Sequence, residues 1–424
     1  MLANARRMAV EALLKVNNEN AYSNITLNNL LKNSDASDND KALATALFYG
    51  VLDRRITLDY VLDSLTKTPF KKVNFFTAEV MRVGLYQIMY MDRIPNSAAV
   101  DEAVKMIKKS KEHRNSGFVN AVLRAAIRAE KLLPDGDSVK ELSVIYSCPE
   151  WIVDEFIKDY GKEQTILLLN EFLKPSSTHL RVNTTKITPD EFLKLLDEKG
   201  IDAVLDEPYG AVTLKSGANI EKMSLYKKGY FFVQDISSQR AVSVLAPKPN
   251  ERVLDMCAAP GGKTFSMACL MQNKGEIVSC DIHEHRVELI KNSALRLGLN
   301  IVKPTLCDAT QHSDNIGKFD AILCDVPCSG FGIIGRKPDI KYKKADDFAE
   351  LENLQYSILN NAANYLANNG RILYSTCTLR KNENEVVVNK FLDTHKDCEL
   401  KYIHTFLPNI DGTDGFFTAL LQKR

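Results

Sequence analysis

A chain of 424 residues is long enough for about three domains, and with 45% hydrophobic and 26% charged residues it can bury a sizeable core, which excludes a disordered polymer. Lys and Arg number 55 against 54 Asp and Glu, a formal net charge of +1, so no global basicity announces a polyanion partner. The charge is uneven, however. Residues 1–130 hold 19 Lys and Arg against 14 Asp and Glu, a local excess that hints at such a partner at this end. The opening MLANARRMAVEALLKV has no apolar run of signal-peptide length, and nowhere do about 18 uninterrupted apolar residues predict a membrane span. Of nine cysteines, eight follow residue 250 without the spacing of a disulfide framework. Free thiols, a reducing compartment and a cytoplasmic protein are expected.

Residues 1–131 read as successive helices. Ala5, Met8, Ala9, Ala12, Leu13 and Val16 recur at three- and four-residue steps and form one apolar stripe, and similar stripes run through KALATALFYGVLDRRITLDYVLDSL, AEVMRVGLYQIMYM and FVNAVLRAAIRA. Asn96 and Ser97, after Pro95, look like the N-cap of the helix AAVDEAVKMIKK. The stripes are core; function here would lie on polar faces carrying Arg54, Arg55, Lys108, Lys109, Lys111 and Arg114, although such a charge run is ordinarily a solvated face. Turn formers in LLPDGDS, residues 132–138, end this segment. Residues 139–224 are mixed: helical WIVDEFIKDYG and EQTILLLNEFL, an extended THLRVNTTK, a helix PDEFLKLLDEKG and a strand-like AVTLK. They predict a small α+β module.

From residue 225 to 424 the rhythm becomes strand, turn, helix. ERVLDMC, GEIVSCD, KFDAILCDV and GRILYSTC are short apolar runs separated by amphipathic helical stretches. The expected fold class is therefore multidomain, closing with an α/β Rossmann-like domain whose mostly parallel sheet has helices on both faces. Ligands of such sheets bind beyond the carboxyl ends of the strands, here just after Asp255, Asp281, Asp325 and Thr376. The first strand runs into DMCAAPGGKT. Its GGKT tail suggests a phosphate-binding P-loop, but that motif needs glycine where Cys257 stands, and the G-x-G-x-x-G fingerprint is absent too. What remains is a turn with Pro260, Gly261 and Gly262 that lets a ligand approach the backbone before a helix begins. Asp281, twenty residues after Gly261, is suited to ribose hydroxyls. Together they point to an adenosine-containing cofactor.

The next two strands end in CDVPCSG and YSTCT, which place Cys328 and Cys377 at adjacent openings of the crevice. Each cysteine alone is more often a buried small hydrophobe; as a pair beside Asp325 and the cofactor turn they read as catalytic. No metal is expected, because no C-x-x-C occurs and Cys280, His283 and His285 lack the spacing of a closed zinc site. The zinc deaminase signature is missing as well. Methylation of cytosine at carbon explains two thiols. C5 is a poor nucleophile until a thiolate adds to C6 and makes an enamine that can attack a sulfonium methyl; a base must then remove the C5 proton so that the thiol can leave. A carboxyl near N3, here Asp325, would stabilise charge on the ring. Amine methylation needs no such nucleophile. Which thiol attacks is left open by the residues themselves.

At these motifs the chain resembles the bacterial RsmB (Sun/Fmu) family, which methylates cytosine C5 in 16S rRNA, at cytosine 967. DMCAAPGGKT is similar to the family's cofactor motif, DVPCSG to its D-A-P-C-S-G with Val326 for Ala, and STCT to its nucleophile motif. GRKPDIKYKK, the ENE of residues 383–385, DGFFTALL and FFVQDISSQ resemble family segments too, and IPNSAAVDEAV and GFVNAVLR resemble its NusB-like RNA-binding domain. The resemblance implies three domains: a helical NusB-like domain over 1–131, a small α+β RNA-binding module over 139–224, and a Rossmann-like S-adenosylmethionine-dependent methyltransferase domain over 225–424. It also implies that Cys257, Ala258, Ala259, Pro260, Gly261, Gly262, Lys263, Asp281, Asp308 and Asp325 contact S-adenosyl-L-methionine, that Cys377 is the nucleophile, and that Cys328 assists release of the methylated base. Val326, Thr378 and Tyr342 are departures from the family pattern that would alter packing beside the base. The implied partner is 16S rRNA, naked or in early assembly intermediates, with no membrane, no metal and a monomer as the default. The rivals are a methyltransferase of another rRNA or tRNA cytosine, a non-catalytic RNA-binding assembly factor, and the weakened P-loop NTPase.

Overall fold

A computed structural model describes residues 5–19, 23–206, 210–217 and 219–424; the first four residues of the opening segment lie outside this set. The chain divides into two compact units, one of residues 1–173 with 337–343, the other of 174–336 with 344–424. Among the described residues no helix is long and apolar enough to cross a membrane.

Among the described residues the first unit is built of helices: α1 (Ala5–Glu19), α2 (Ser23–Lys32), α3 (Asp38–Ser64), α4 (Phe75–Tyr90), α5 (Asn96–Lys108) and α6 (Ser116–Arg128), then α7 (Val139–Tyr146), α8 (Glu150–Tyr160) and α9 (Lys162–Phe172). Most of the stripes meet in one core that includes Leu13, Phe48, Leu58, Met81, Ile107 and Leu123, while Ala5 and Met8 cluster separately with Ala44. The expected cap of α5 is displaced by a residue. Pro95 is the N-cap, without a side-chain hydrogen bond, because proline's fixed φ suits the entry to a helix and leaves Asn96 and Ser97 inside it. Helices α7–α9, read from sequence with the middle module, cluster with this unit instead. The Thr57 hydroxyl donates to the Val144 carbonyl at 2.6 Å, and the Ile56 N–H to the Ser147 hydroxyl at 3.1 Å, tying α7 to α3. Within the 337–343 segment, the buried Lys341 ammonium donates to the Asp53 carboxylate at 2.7 Å, the Tyr342 hydroxyl donates to the Leu52 carbonyl, and Arg55 lies over the Tyr342 ring. Tyr342, expected beside the base, thus has its hydroxyl engaged in the helical unit.

The second unit opens with four short antiparallel strands, β1 (Thr178–Val182), β2 (Ala203–Asp206), β3 (Ala211–Leu214) and β4 (Phe231–Val233), in the order β2-β3-β1-β4. Helix α10 (Pro189–Asp197) starts at a capping box between Thr188 and Glu191 and buries Phe192 and Leu196 against Leu180, Val182, Val212 and Phe231. The short α11 (Ser224–Lys227) precedes β4.

The large sheet follows. Its elements are α12 (Ile236–Leu245), β5 (Arg252–Asp255), α13 (Gly262–Leu270), β6 (Glu276–Asp281), α14 (Glu284–Leu297), β7 (Val302–Leu306), β8 (Phe319–Asp325), α15 (Leu351–Asn364), β9 (Leu366–Thr376), α16 (Glu385–Thr394), β10 (Cys398–Phe406), α17 (Pro408–Asp411) and β11 (Phe416–Lys423). The order is β10-β11-β9-β8-β5-β6-β7. Strands β5 to β9 are parallel, and β11 and β10 close the sheet antiparallel. Two apolar clusters sandwich it, one containing Phe265, Met267 and Ile290, the other Ile358, Leu359 and Phe391, which accounts for near-continuous burial along β6 and β8. Strand order reverses between β5 and β8, the switch point at which such sheets open a crevice.

Candidate active site

The four strand ends named from sequence are the observed ones: β5 ends at Asp255, β6 at Asp281, β8 at Asp325 and β9 at Thr376. Their loops share one edge of the sheet. The first loop, residues 256–261, is tied to the next strand where the Ala258 N–H donates to the Cys280 carbonyl at 2.8 Å. Its turn demands glycine at 261. There φ is +104°, and a Cβ would lie 2.3 Å from the Phe265 ring. The Cys257 side chain packs against the core and burial pushes its thiol well up, so this residue offers the site its backbone. Beneath the loop Asp255 is buried and accepts the Thr264 hydroxyl at 2.6 Å. Burial raises its carboxyl to about 7.

Further along the edge, the buried Asp281 accepts the His283 N–H at 2.9 Å, and its backbone carbonyl accepts the Cys307 N–H at 3.1 Å. This places Asp308, whose carboxylate accepts the Thr310 N–H and hydroxyl at 2.9 and 2.7 Å, next to the end of β6. Lys263, in the first turn of α13, donates to Asp325 at 2.7 Å, and Ser375 donates to the other Asp325 oxygen at 2.9 Å. Burial opposes the charge on Lys263, but the Asp325 carboxylate more than offsets it, and the neighbouring Cys377 adds to the same direction. The ammonium form is held.

Cys328 and Cys377 meet with their Sγ atoms 3.2 Å apart, both half-buried. Hydrogen bonding to Cys377, then burial, pushes the Cys328 thiol well above its ordinary range. The Cys377 backbone is fixed from the far side, where its carbonyl accepts the Gly332 N–H at 3.0 Å and the Gly332 carbonyl accepts the Gly415 N–H at 2.9 Å. No β-carbon fits between them: one on Gly332 would lie 1.9 Å from the Gly415 oxygen. Val326 is buried, and Thr378 bonds the Ser329 hydroxyl at 2.7 Å, so these two departures from the family pattern are absorbed by packing.

The site combines a tight glycine turn, the carboxylates of Asp255, Asp281, Asp308 and Asp325, and a thiol pair. The 16S rRNA methyltransferase RsmB/F model matches residues 242–422, the NusB family model 3–128, and an RsmF/B-like ferredoxin-like domain 148–221. The Bacillus subtilis protein named "Probable ribosomal RNA small subunit methyltransferase B" is 39% identical over 442 residues, covering 99% of this chain and 98% of the relative. The chain belongs to this RsmB/F family. The Proteus mirabilis ribosomal RNA small subunit methyltransferase B is 32% identical, with 99% of each chain covered. Among solved structures, that titled PH0851 is 27% identical with a TM-score of 0.83 over 99% of this chain and 98% of that one; a Pyrococcus horikoshii methyltransferase homolog is 28% identical with a TM-score of 0.61, covering 68% and 100%. The protein is an S-adenosylmethionine-dependent RNA methyltransferase with a NusB-like helical domain, a small middle module and a Rossmann-like sheet.

The residues present fit that cofactor. The turn at Gly261 has no room for a side chain, and Asp255 Oδ1 is buried without a hydrogen-bond partner among the described residues. Carboxylates at successive strand ends supply the acceptors that ribose hydroxyls, an exocyclic amine and an α-ammonium need. Sequence reasoning misses the pairing of Lys263 with Asp325. It also gives Glu383 and Asn384 no role, although both are fully buried at the site.

Proposed function

We propose that this protein is a 16S rRNA (cytosine 967-C5)-methyltransferase that works through a covalent Cys377–C6 adduct. The observation that carries the reading is the thiol pair, Cys328 and Cys377 at 3.2 Å, beside an ion pair of Lys263 and Asp325 at 2.7 Å. The loop Cys257–Lys263, Asp281, Asp308 and Asp325 would hold S-adenosyl-L-methionine, which supplies an electrophilic methyl group. The charged Lys263 stabilises a thiolate at Cys377. That thiolate adds to C6 of the target cytosine, and C5 becomes nucleophilic. Asp325, held by Lys263 and Ser375, would take up the proton given by the Cys377 thiol and donate it to N3 as charge builds on the ring. Once C5 carries the methyl group, its C–H bond breaks, the electrons restore the C5–C6 double bond, and the C6–S bond breaks to return Cys377. Cys328, protonated in the resting pair and 3.2 Å from Cys377, would give its proton to the departing Cys377 sulfur and, as the thiolate so formed, accept the proton released from C5, so that both thiols are restored.

The three-part order read from sequence, 1–131, 139–224 and 225–424, completes the proposal with its joins moved: α7–α9 group with the helical unit and β4 with the small sheet, and the helical and middle parts would hold RNA through phosphate contacts and shape. The protein would act as a monomer in the cytoplasm on 16S rRNA, naked or partly assembled. Expressing Cys328→Ala and Cys377→Ala in cells tests the chemistry. A ribonuclease-sensitive slow band on a denaturing gel is expected for Cys328→Ala only, and sequencing the trapped RNA identifies the cytosine. A slow band from Cys377→Ala instead reverses the thiol roles, and none from either refutes the covalent route.

A further inference from the structure

The ENE segment lies where β9 hands over to α16, and its first two residues are completely buried. Glu383 Oε2 accepts the Ser329 N–H at 2.9 Å and the Gln355 side-chain amide at 2.9 Å. The same Gln355 nitrogen donates to the Pro327 carbonyl at 2.9 Å. Glu383 therefore grips the peptide on both sides of Cys328, directly after it and through Gln355 before it. Its other oxygen takes Arg380 at 3.1 Å, and its backbone carbonyl takes the Tyr374 hydroxyl at 2.6 Å.

Asn384 does the same for the second thiol. Its amide donates to the Thr378 carbonyl at 3.0 Å, and its side-chain oxygen accepts the Thr376 hydroxyl at 2.6 Å, so it spans Cys377. Two consecutive residues thus each clamp one cysteine loop, and the 3.2 Å thiol contact is set by their fixed spacing. The difference between them matters. A buried carboxylate is costly, and an amide could accept the same Ser329 hydrogen bond with less desolvation. The Arg380 guanidinium at 3.1 Å offsets part of that cost. The carboxylate lies beside Cys328 and adds to the Cys377 hydrogen bond and the burial that chiefly hold the Cys328 proton, while the cation Lys263 attends Cys377.

We propose that Glu383 and Asn384 are paired positioning residues: Asn384, spanning the loop around Cys377, fixes it for addition, and Glu383, gripping the peptide on both sides of Cys328, fixes that thiol for the release step. This rests on the thiol roles proposed above. The test uses the purified full-length protein, 16S rRNA transcribed in vitro and S-adenosylmethionine. Glu383→Gln is expected to form adduct at close to the wild-type rate but to release it slowly, so the ribonuclease-sensitive band rises about fivefold or more. Asn384→Ala is expected to slow adduct formation about tenfold or more, the scale of a lost buried hydrogen bond, even in a Cys328→Ala background.

Alkylation by iodoacetamide, mapped by peptide mass spectrometry across pH, supplies the readout that a purely structural role would not move. Glu383→Gln should bring the Cys328 midpoint down and leave that of Cys377 in place. Glu383→Gln that turns over like the wild type with unchanged Cys328 alkylation overturns the inference, as does equal loss of adduct formation in both variants. If Cys328→Ala itself accumulates no adduct, the thiol roles fail, and the alkylation profile still decides whether Glu383 governs Cys328.

Discussion

Replacing Gly261 by alanine probes the cofactor turn at one atom. Two costs add. The backbone sits at φ +104°, a conformation that charges a non-glycine residue about 1–3 kcal/mol. The new Cβ would also lie 2.3 and 2.7 Å from two carbons of the Phe265 ring. That ring cannot swing aside freely, being 3% exposed and edge-on to Phe232 at 5.7 Å; overpacking of this kind costs about 1–3 kcal/mol. Together about 2–6 kcal/mol is expected, which lowers the melting temperature of the second unit by roughly 4–24 °C. The assay is thermal melting alongside calorimetric titration of S-adenosylmethionine, whose affinity should fall with the displaced loop. Trimming the ring in Gly261→Ala/Phe265→Leu removes the collision but not the φ cost. The double variant should therefore be more stable than the two single effects predict by about 1–2 kcal/mol. Strict additivity, or a Gly261→Ala protein that melts like the wild type, refutes the reasoning.

Two further outcomes follow from buried polar groups. Asp255 has its carboxyl raised from 3.8 to about 7 by burial, so the folded state holds its proton more tightly than the unfolded chain. Its contribution is complete below pH 3.8 and is lost as pH rises through about 7; Asp255→Asn should remove about 2–3 kcal/mol of the decline between pH 5 and 8, as read by urea unfolding at both pH values, and parallel profiles would count against it. Asn183 donates to the Gly229 and Leu297 carbonyls at 2.9 Å each and is fully buried. Asn183→Ala strands both carbonyls and should cost about 2–4 kcal/mol in denaturant unfolding; a loss below 0.5 kcal/mol, about the scale of a surface substitution, would show that they find other partners.

The strand ends at Asp255, Asp281, Asp325 and Thr376 were legible because fully buried parallel strands are written as short apolar runs that stop at a polar residue. Strand β7 was not, since only Val302 at its start is buried. Strand β10 was hidden for a related reason: as the sheet's edge it buries only its end residues, Cys398 and Phe406, and reads as polar. The ENE segment was visible as a pattern but silent about its task, because its contacts reach back 54 residues to Ser329. Lys263 read as part of a glycine-rich turn, and its tie to Asp325, 62 residues on, exists only once β5 and β8 are neighbours. Local periodicity reports which face is buried. It does not report which distant side chain a buried polar group will find.

The helical unit is encoded in two places. Seven of its residues, 337–343, arrive from far down the chain, and they bring the Lys341 ammonium to Asp53 and the Tyr342 hydroxyl to Leu52. A fragment ending at residue 173 would be an incomplete body rather than a smaller one. It would leave Asp53 with its Arg54 neighbour at 3.5 Å and without the Lys341 ammonium and Tyr342 hydroxyl that close this corner. Any recombinant design that isolates these helices has to carry the missing heptapeptide along, fused or added in trans, just as a designer of split proteins must return the strand removed.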